Sequence, residues 1–240
     1  MNVQTRETRF PRRMRLLIAT TLAFAAAPVL AIEPFDADYQ ASYMGLQADA
    51  RMSLDKQAGN RWTYSLDLSG AGARMTQTTQ FEADGDDWRP LSSVDTQRGE
   101  SGLAAMLVKN RTVNGSYDWS KGVATWSGDV RDGRAGPVRL QPGDLDGMLM
   151  NLALVRDFAS GDELSYRLVE EGRASRQAFR PAGSETISVQ GREQRATKVV
   201  HRDGARTITA WIVDGLPVPA RILQQRNGRD HIDLKLKSLR

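Results

Sequence analysis

From residue 32 onward, hydrophobic and polar positions alternate with a period of two. Trp62, Tyr64, Leu66 and Leu68 interleave with Arg61, Thr63, Ser65, Asp67 and Ser69. This is the pattern of a strand with one face buried and the other in water. It returns in Leu164, Tyr166 and Leu168, in Ile187 and Val189, and in Ile232, Leu234 and Leu236. Less regular strands are predicted over 35–44, 48–54, 76–81, 91–97, 110–118 and 124–127. Turn chemistry punctuates these runs at Ala58-Gly59-Asn60, Asp84-Gly85-Asp86, Val113-Asn114-Gly115, Arg202-Asp203-Gly204 and Arg226-Asn227-Gly228. Asn and Gly there take positive φ at little cost. Many short strands joined by hairpins predict a mostly-β chain, an antiparallel curved sheet or open β-barrel.

One segment changes period. Leu145, Met148, Leu149, Leu152 and Val155 repeat at helical spacing as far as Phe158, and Ser160-Gly161 ends the run. Pro142-Gly143-Asp144 opens it, with Asp144 as the expected N-cap. The result is one amphipathic helix packed against the sheet. The apolar stretch 102–109 reads as a second helical turn or a lid-like loop, and the glycine-rich stretch 129–143 as a long loop leading into the helix. No internal repeat or composition break divides residues 32–240, which are expected to form a single domain.

The N-terminus alters the meaning of the charge. Arg6, Arg9, Arg12, Arg13 and Arg15 precede an apolar run from Leu16 to Leu30, with Val29 and Ala31 as the small residues before a cleavage site. Basic, apolar and small segments in that order predict a secretory signal peptide over 1–31, cleaved after Ala31. The Arg12-Arg13 pair leaves ordinary and twin-arginine export both open, and Met14 is an alternative start. The whole chain carries 33 basic and 29 acidic residues. Without residues 1–31, 28 of each remain. The basic isoelectric point of about 9.6 therefore belongs to the leader, and nucleic-acid binding, which requires a surplus of clustered cations, is not expected. The absence of cysteine excludes disulfides, thiolate metal sites, cysteine nucleophiles and the usual bacterial lipid anchor. No transmembrane segment is expected in the mature chain.

Candidate chemistry is sparse. His201 with Asp203 and a serine would make a triad, but no Gly-x-Ser-x-Gly elbow presents a nucleophile, and both His201 and His231 read as polar residues flanking turns and strands. Asp84-Gly85-Asp86-Asp87 concentrates oxygen ligands without the spacing of a calcium loop. Glu170-Glu171 and Asp162-Glu163 are carboxylate pairs of the kind glycoside hydrolysis uses. Gly70-Ala71-Gly72 lacks the third glycine and the following helix of a dinucleotide loop. No catalytic, cofactor or metal residue is assigned. The remaining candidates are apolar: Trp62, Tyr64, Met148 and Trp211, with Trp119, Trp126 and Met150, either line a cavity for a hydrophobic ligand or fill the core.

Three stretches carry a family resemblance. Phe35 to Tyr43 with Gly45-Leu46, Asp144-Leu145-Asp146-Gly147-Met148-Leu149 with Arg156, and Thr209 through Trp211, Gly215, Pro217 and Arg221 to Ile222 together resemble the domain-of-unknown-function 3108 family of exported bacterial proteins. The chain departs from the family pattern at Gly147, where members usually carry serine or a bulky residue, and at Asn151-Leu152-Ala153-Leu154, where an aromatic is usual. The resemblance implies an exported, mostly-β protein, with a sheet like those of periplasmic lipoprotein carriers, and no established activity.

The sequence thus favours a periplasmic, non-enzymatic protein that binds an apolar or amphipathic envelope ligand, such as a lipid or hydrophobic small molecule, or an envelope protein. A hydrolase of envelope glycans or esters using carboxylates or His201 is the rival. An interaction module with an exposed sheet edge is a third reading.

Overall fold

The computed structural model describes Met1 and residues 32–43 and 45–240. The export segment read in residues 1–31, with its cleavage site, lies outside the described residues. From Ala31 onward the chain forms one compact unit.

Sixteen strands and two helices follow in chain order. The first meander consists of β1 (Phe35–Tyr43), β2 (Leu46–Lys56), β3 (Arg61–Gly70), β4 (Ala73–Asp84) and β5 (Asp87–Gly99). A short helix α1 (Gly102–Leu107) leads to β6 (Arg111–Asp118), β7 (Val123–Gly128) and the two-residue β8 (Val138–Arg139). Then come β9 (Asp144–Leu145), helix α2 (Gly147–Ser160), β10 (Ser165–Glu170) and β11 (Arg173–Ala178). The last meander is β12 (Arg180–Val189), β13 (Arg192–Asp203), β14 (Arg206–Ile212), β15 (Arg221–Arg226) and β16 (Arg229–Leu239).

Thirteen of these strands make one open sheet in the order β12-β13-β14-β15-β16-β1-β2-β3-β4-β5-β6-β7-β8. The two meanders are therefore joined where β16 pairs antiparallel with β1. The other three form a small sheet, β11-β10-β9. Alternation decides which face is buried: Phe35, Ala37, Tyr39, Met52, Leu54, Trp62, Tyr64, Leu66, Leu68 and Phe81 all turn into the core. Helix α2 packs on the same face against β3, β4 and β10, with Leu149, Ala153 and Leu154 essentially without solvent contact.

Antiparallel pairing sends successive turns to opposite ends of the sheet. One end carries the turns around residues 44–45, 71–72, 204–205 and 227–228, together with α1. The opposite end carries those around 57–60, 85–86, 119–122, 190–191 and 213–220. Helix α2 runs towards the second end: its Arg156 stacks on Trp88, 4.3 Å from the ring centre, and donates to the Asp86 carbonyl at 2.9 Å. The α1 end is thus the open rim of the sheet, and the α2 end is its filled half.

Two expectations need correcting. The α2 N-cap is Asp146, whose carboxylate accepts from the Leu149 backbone N–H at 2.9 Å. Asp144 lies before the helix on β9, where its carboxylate accepts from the Gln141 N–H at 2.8 Å and pairs with Arg167. Val113-Asn114-Gly115 is not a turn but the middle of β6, where Asn114 pairs with Ser127 and Gly115 with Trp126. Gly115 is needed there for room, because a Cβ would press on the Ser93 hydroxyl and the Trp126 indole.

Candidate functional site

Of the apolar residues proposed to line a cavity, Trp62, Tyr64, Met148, Met150, Trp126 and Trp211 are buried and Trp119 is half-buried. Trp62 and Tyr64 face α2, beside Met148 on its first turn. Tyr64 donates to the Met52 sulfur at 3.3 Å, and burial holds its hydroxyl far above the ordinary tyrosine range. Trp211 stands on the face of β14 opposite Ile208, Ala210 and Ile212. It pairs there with Lys198 and Arg221, stacks under the Arg221 guanidinium at 4.5 Å, and donates to Glu185 at 2.6 Å. Trp126 belongs to a second cluster with Tyr117, Val113, Leu140 and Val169, against which Trp119 packs.

The concave face changes character towards the open rim. On β4 and β5 the inward pairs run Phe81–Pro90, Thr79–Ser93, Gln77–Asp95, Met75–Gln97 and Ala73–Gly99. The first is apolar and buried; Thr79 is polar and still buried, and the inward residues from Ser93 to Gly99 and from Gln77 to Ala73 are partly reached by water. A bulge between Gln80 and Phe81 on β4, opposite Ser92 and Pro90, leaves Leu91 unpaired. Two residues of β5 there oppose one of β4, which shifts the strand's alternation by one position. The shift turns Asp95 inward and leaves Val94 on the outer face, 38% exposed.

Between these strands and the β10–β11 turn lies a recess of ≈ 180 Å³, lined by Met75, Gln77, Asp95, Thr96, Gln97, Arg111 and Glu171. Arg111 donates to the Glu171 carboxylate at 2.6 Å and to the Asp129 carbonyl at 3.3 Å. The β10–β11 turn is held tightly in place: Glu171 has φ 38° and Gly172 φ 69°, and a Cβ on Gly172 would run into the Arg134 backbone.

Deeper in, Glu170 accepts from the Gly147 N–H at the start of α2, at 2.5 Å. Asp146 accepts from Leu149 and from the Thr79 hydroxyl. Burial, then the nearby Asp146 charge, pushes the Asp95 carboxyl up to about 6, against a hydrogen bond from Gln77. Burial, then Asp146 and Asp95, pushes Glu170 up to about 7, although water reaches its side chain; Arg206 opposes the shift from across the rim. Burial also raises the carboxyl of Asp146. Among the described residues, none of Asp95, Asp146 and Glu170 is in an ion pair. The site is therefore a polar recess beside three carboxyl groups whose proton affinities are raised by burial and by one another.

Helix α1 borders this region. It follows Glu100 and Ser101, whose N–H groups both donate to the Gly72 carbonyl. The inward side of Gly99 lies directly under the Ala104 backbone, so α1 covers the concave face at the end of β5. Its Met106 is 82% exposed.

The histidines lie elsewhere. His201 Nδ1 is 3.0 Å from the Ala178 carbonyl and its ring packs on Phe179. His231 packs on Tyr43, and burial followed by Arg226 and Arg206 lowers its basicity. Of the acid pairs read in the sequence, Glu170-Glu171 reaches the recess. Among the described residues, no group of three His, Asp or Glu side chains is placed to hold a metal ion.

The model of a family described as "Protein of unknown function (DUF3108)" matches residues 38–234. The chain belongs to this family. The matched residues take in the recess, α1 and most of both meanders of the sheet. No curated protein matches the chain. Among solved structures, a β-barrel-like protein of the domain-of-unknown-function 1849 type from Brucella abortus is similar. The two are 12% identical with a TM-score of 0.52, over 86% of this chain and 96% of that one. At that identity the likeness extends to the fold alone, an antiparallel, barrel-like sheet. MucB is also 12% identical over 86% of this chain and 52% of its own, with a TM-score of 0.37.

Proposed function

We propose that the chain is an exported, non-enzymatic binding protein of the cell envelope that takes the polar head of an amphipathic ligand in the rim recess. The observation that carries this reading is the change in the concave face. On β4 and β5 the buried apolar pairs end at Phe81–Pro90, and beyond them lies a recess of ≈ 180 Å³ with two glutamines, a threonine, Asp95, Arg111 and Glu171 beside Met75. A few convergent polar groups at the mouth of a β-barrel are a common form of ligand site. The secretory pattern of residues 1–31 supports an envelope location, and Met75 with the exposed Met106 gives an apolar part of the ligand something to lie on.

Native mass spectrometry of the chain from residue 32, incubated with phosphatidylethanolamine and phosphatidylglycerol in the absence of detergent, tests the reading. Stoichiometric adducts are expected, weakened at least tenfold by Gln77→Leu with Asp95→Leu. A strictly ligand-free mass would overturn it.

A second reading has its own observation. Asp95 lines the recess and Glu170 lies near enough to feel its charge, and the two are driven to about 6 and about 7, the kind of acid pair that general acid–base hydrolysis uses. Turnover of an ester or glycoside panel that disappears in both Asp95→Asn and Glu170→Gln would establish it. Turnover unchanged in both would remove it.

A further inference from the structure

The open rim itself is unusually composed. Two neighbouring hairpin turns, β13–β14 and β15–β16, carry Arg202, Arg206, Arg226 and Arg229, all exposed. Arg206 and Arg226 are directly paired across β14 and β15, and Arg226 and Arg229 across β15 and β16. The acids among them are Asp203 and Asp230, and Asp230 is engaged by the Gln225 side chain at 2.8 Å. Among the described residues, none of the four arginines takes part in an ion pair. The next turn along the same rim, β1–β2, presents Leu46 at 58% exposure, and β1 is the strand beside β16. Beyond it, after the β3–β4 turn, α1 presents Met106, with exposed Arg98 and Lys109 on either side.

The opposite end of the sheet is built differently. Several of its turn residues form local pairs, Arg61 with Glu82, Arg89 with Asp87 and Lys121 with Asp118, while Arg192 and Arg195 beside the β12–β13 turn are exposed and, among the described residues, in no ion pair. Among the described residues, the strongly exposed apolar side chains of the sheet's ends, Leu46 and Met106, lie on the same rim as the four arginines. Asp203 is the register partner of Arg206, so the two turns hold four arginines against two acids, a local excess of positive charge that facing arginines make unfavourable and an anionic surface would relieve.

We infer that the open rim docks on an anionic phospholipid bilayer, with the arginines of the β13–β14 and β15–β16 turns on the headgroups and Leu46 and Met106 entering the interface. A surface of this kind binds by the sum of apolar insertion and attraction of cations to anionic lipid, each arginine near the surface strengthening binding about fivefold. The geometry turns the recess mouth towards the membrane. Docking rests on the rim residues alone and stands whether or not the recess holds a ligand.

Sedimentation of the chain from residue 32, a compact unit with its own core, with vesicles tests this directly. The vesicles are phosphatidylglycerol and phosphatidylcholine in equal parts, or phosphatidylcholine alone. Binding is expected to the mixed vesicles only and to weaken as salt is raised. Arg226→Gln with Arg229→Gln should weaken it about thirtyfold, as two such cations require. Met106→Ser with Leu46→Ser should weaken it at low and high salt alike. Arg61→Gln, at the opposite end, should leave it unchanged. Circular dichroism of every variant guards against unfolding. Equal binding to both vesicle types, an equal effect of Arg61→Gln, or no sedimentation with either would overturn the inference. Failure of the recess reading appears separately, as an absence of lipid adducts in a protein that still sediments.

Discussion

Thr79 and Asp146 are joined across the concavity. The hydroxyl on β4 donates to the carboxylate that caps α2, and the same carboxylate accepts from Leu149. One residue thereby fixes both where the helix starts and which strand it starts against. Asp146→Ala removes the cap and strands a buried hydroxyl, at a cost of about 2 to 4 kcal/mol. Asp146→Asn keeps the acceptor and relieves a buried charge, so it should cost about 1 kcal/mol or less. Chemical denaturation of the two variants checks the order.

Stability should depend on pH through the carboxyls under the recess. Asp95 and Glu170 hold protons more tightly folded than unfolded, at about 6 and about 7. Their contribution is complete in acid and is lost as pH rises through those values. The groups facing them are Asp146 from α2, Glu171 from the hairpin turn, Arg111 from β6 and Arg206 from β14. Asp95→Asn with Glu170→Gln should therefore gain on the parent between about pH 5 and about pH 8, read as melting temperature against pH. A parallel pair of curves would contradict the coupling.

Two glycines with positive φ separate strain from collision. Gly215 has φ 81° and open space around its Cβ direction, so Gly215→Ala should cost about 1 kcal/mol. Gly172 has φ 69° and the Arg134 backbone in the way, and overpacking adds about 1 to 3 kcal/mol to the same backbone cost. Gly172→Ala should also loosen the Glu171 turn and, with it, the contact to Arg111. Paired unfolding curves and the amide spectrum of residues 170–173 test both effects.

Leu149 has no solvent exposure and sits at the centre of the larger core cluster. Leu149→Ala should cost about 3 to 5 kcal/mol, as full truncation in a rigid core does. Met106→Ala, at an exposed site, should move stability by about 0.5 kcal/mol or less. Thermal unfolding of both variants gives the comparison.

The sheet was legible because most of its strands alternate cleanly. Trp62 to Leu68 and Ile232 to Leu236 declare one buried face, and the Asp84-Gly85-Asp86 turn lies where its chemistry placed it. The second helix was readable from its apolar repeat, though its cap moved from Asp144 to Asp146 because β9 uses Asp144 first. The strand β11 was missed because Arg173-Ala174-Ser175-Arg176 has no apolar face to read; β10 supplies its pairing. The recess was hidden for a subtler reason. Counted by twos from Trp88 and Pro90, Val94 faces the core and Asp95 faces water. The unpaired Leu91 reverses both; its trace in the sequence is Pro90 beside it, since proline inside a strand pattern marks an edge or a bulge. Trp211 failed in the opposite direction: an aromatic in an alternating run reads as inward, yet its burial comes from Arg221 and Glu185 on the outer face.

The seam between β16 and β1 also governs when the molecule can be finished. Asp36 and Arg240 exchange backbone hydrogen bonds at 2.8 and 2.9 Å, so nearly the whole described chain separates the two partners in sequence. A chain emerging from its N-terminus can build β1 to β8 as one hairpin series, but β1 keeps an open edge until β16 arrives. Such distant pairing slows folding, because loop closure must precede its reward. The final eleven residues of strand thus act as a completion signal, and truncating them would leave two half-sheets, each with an unprotected margin.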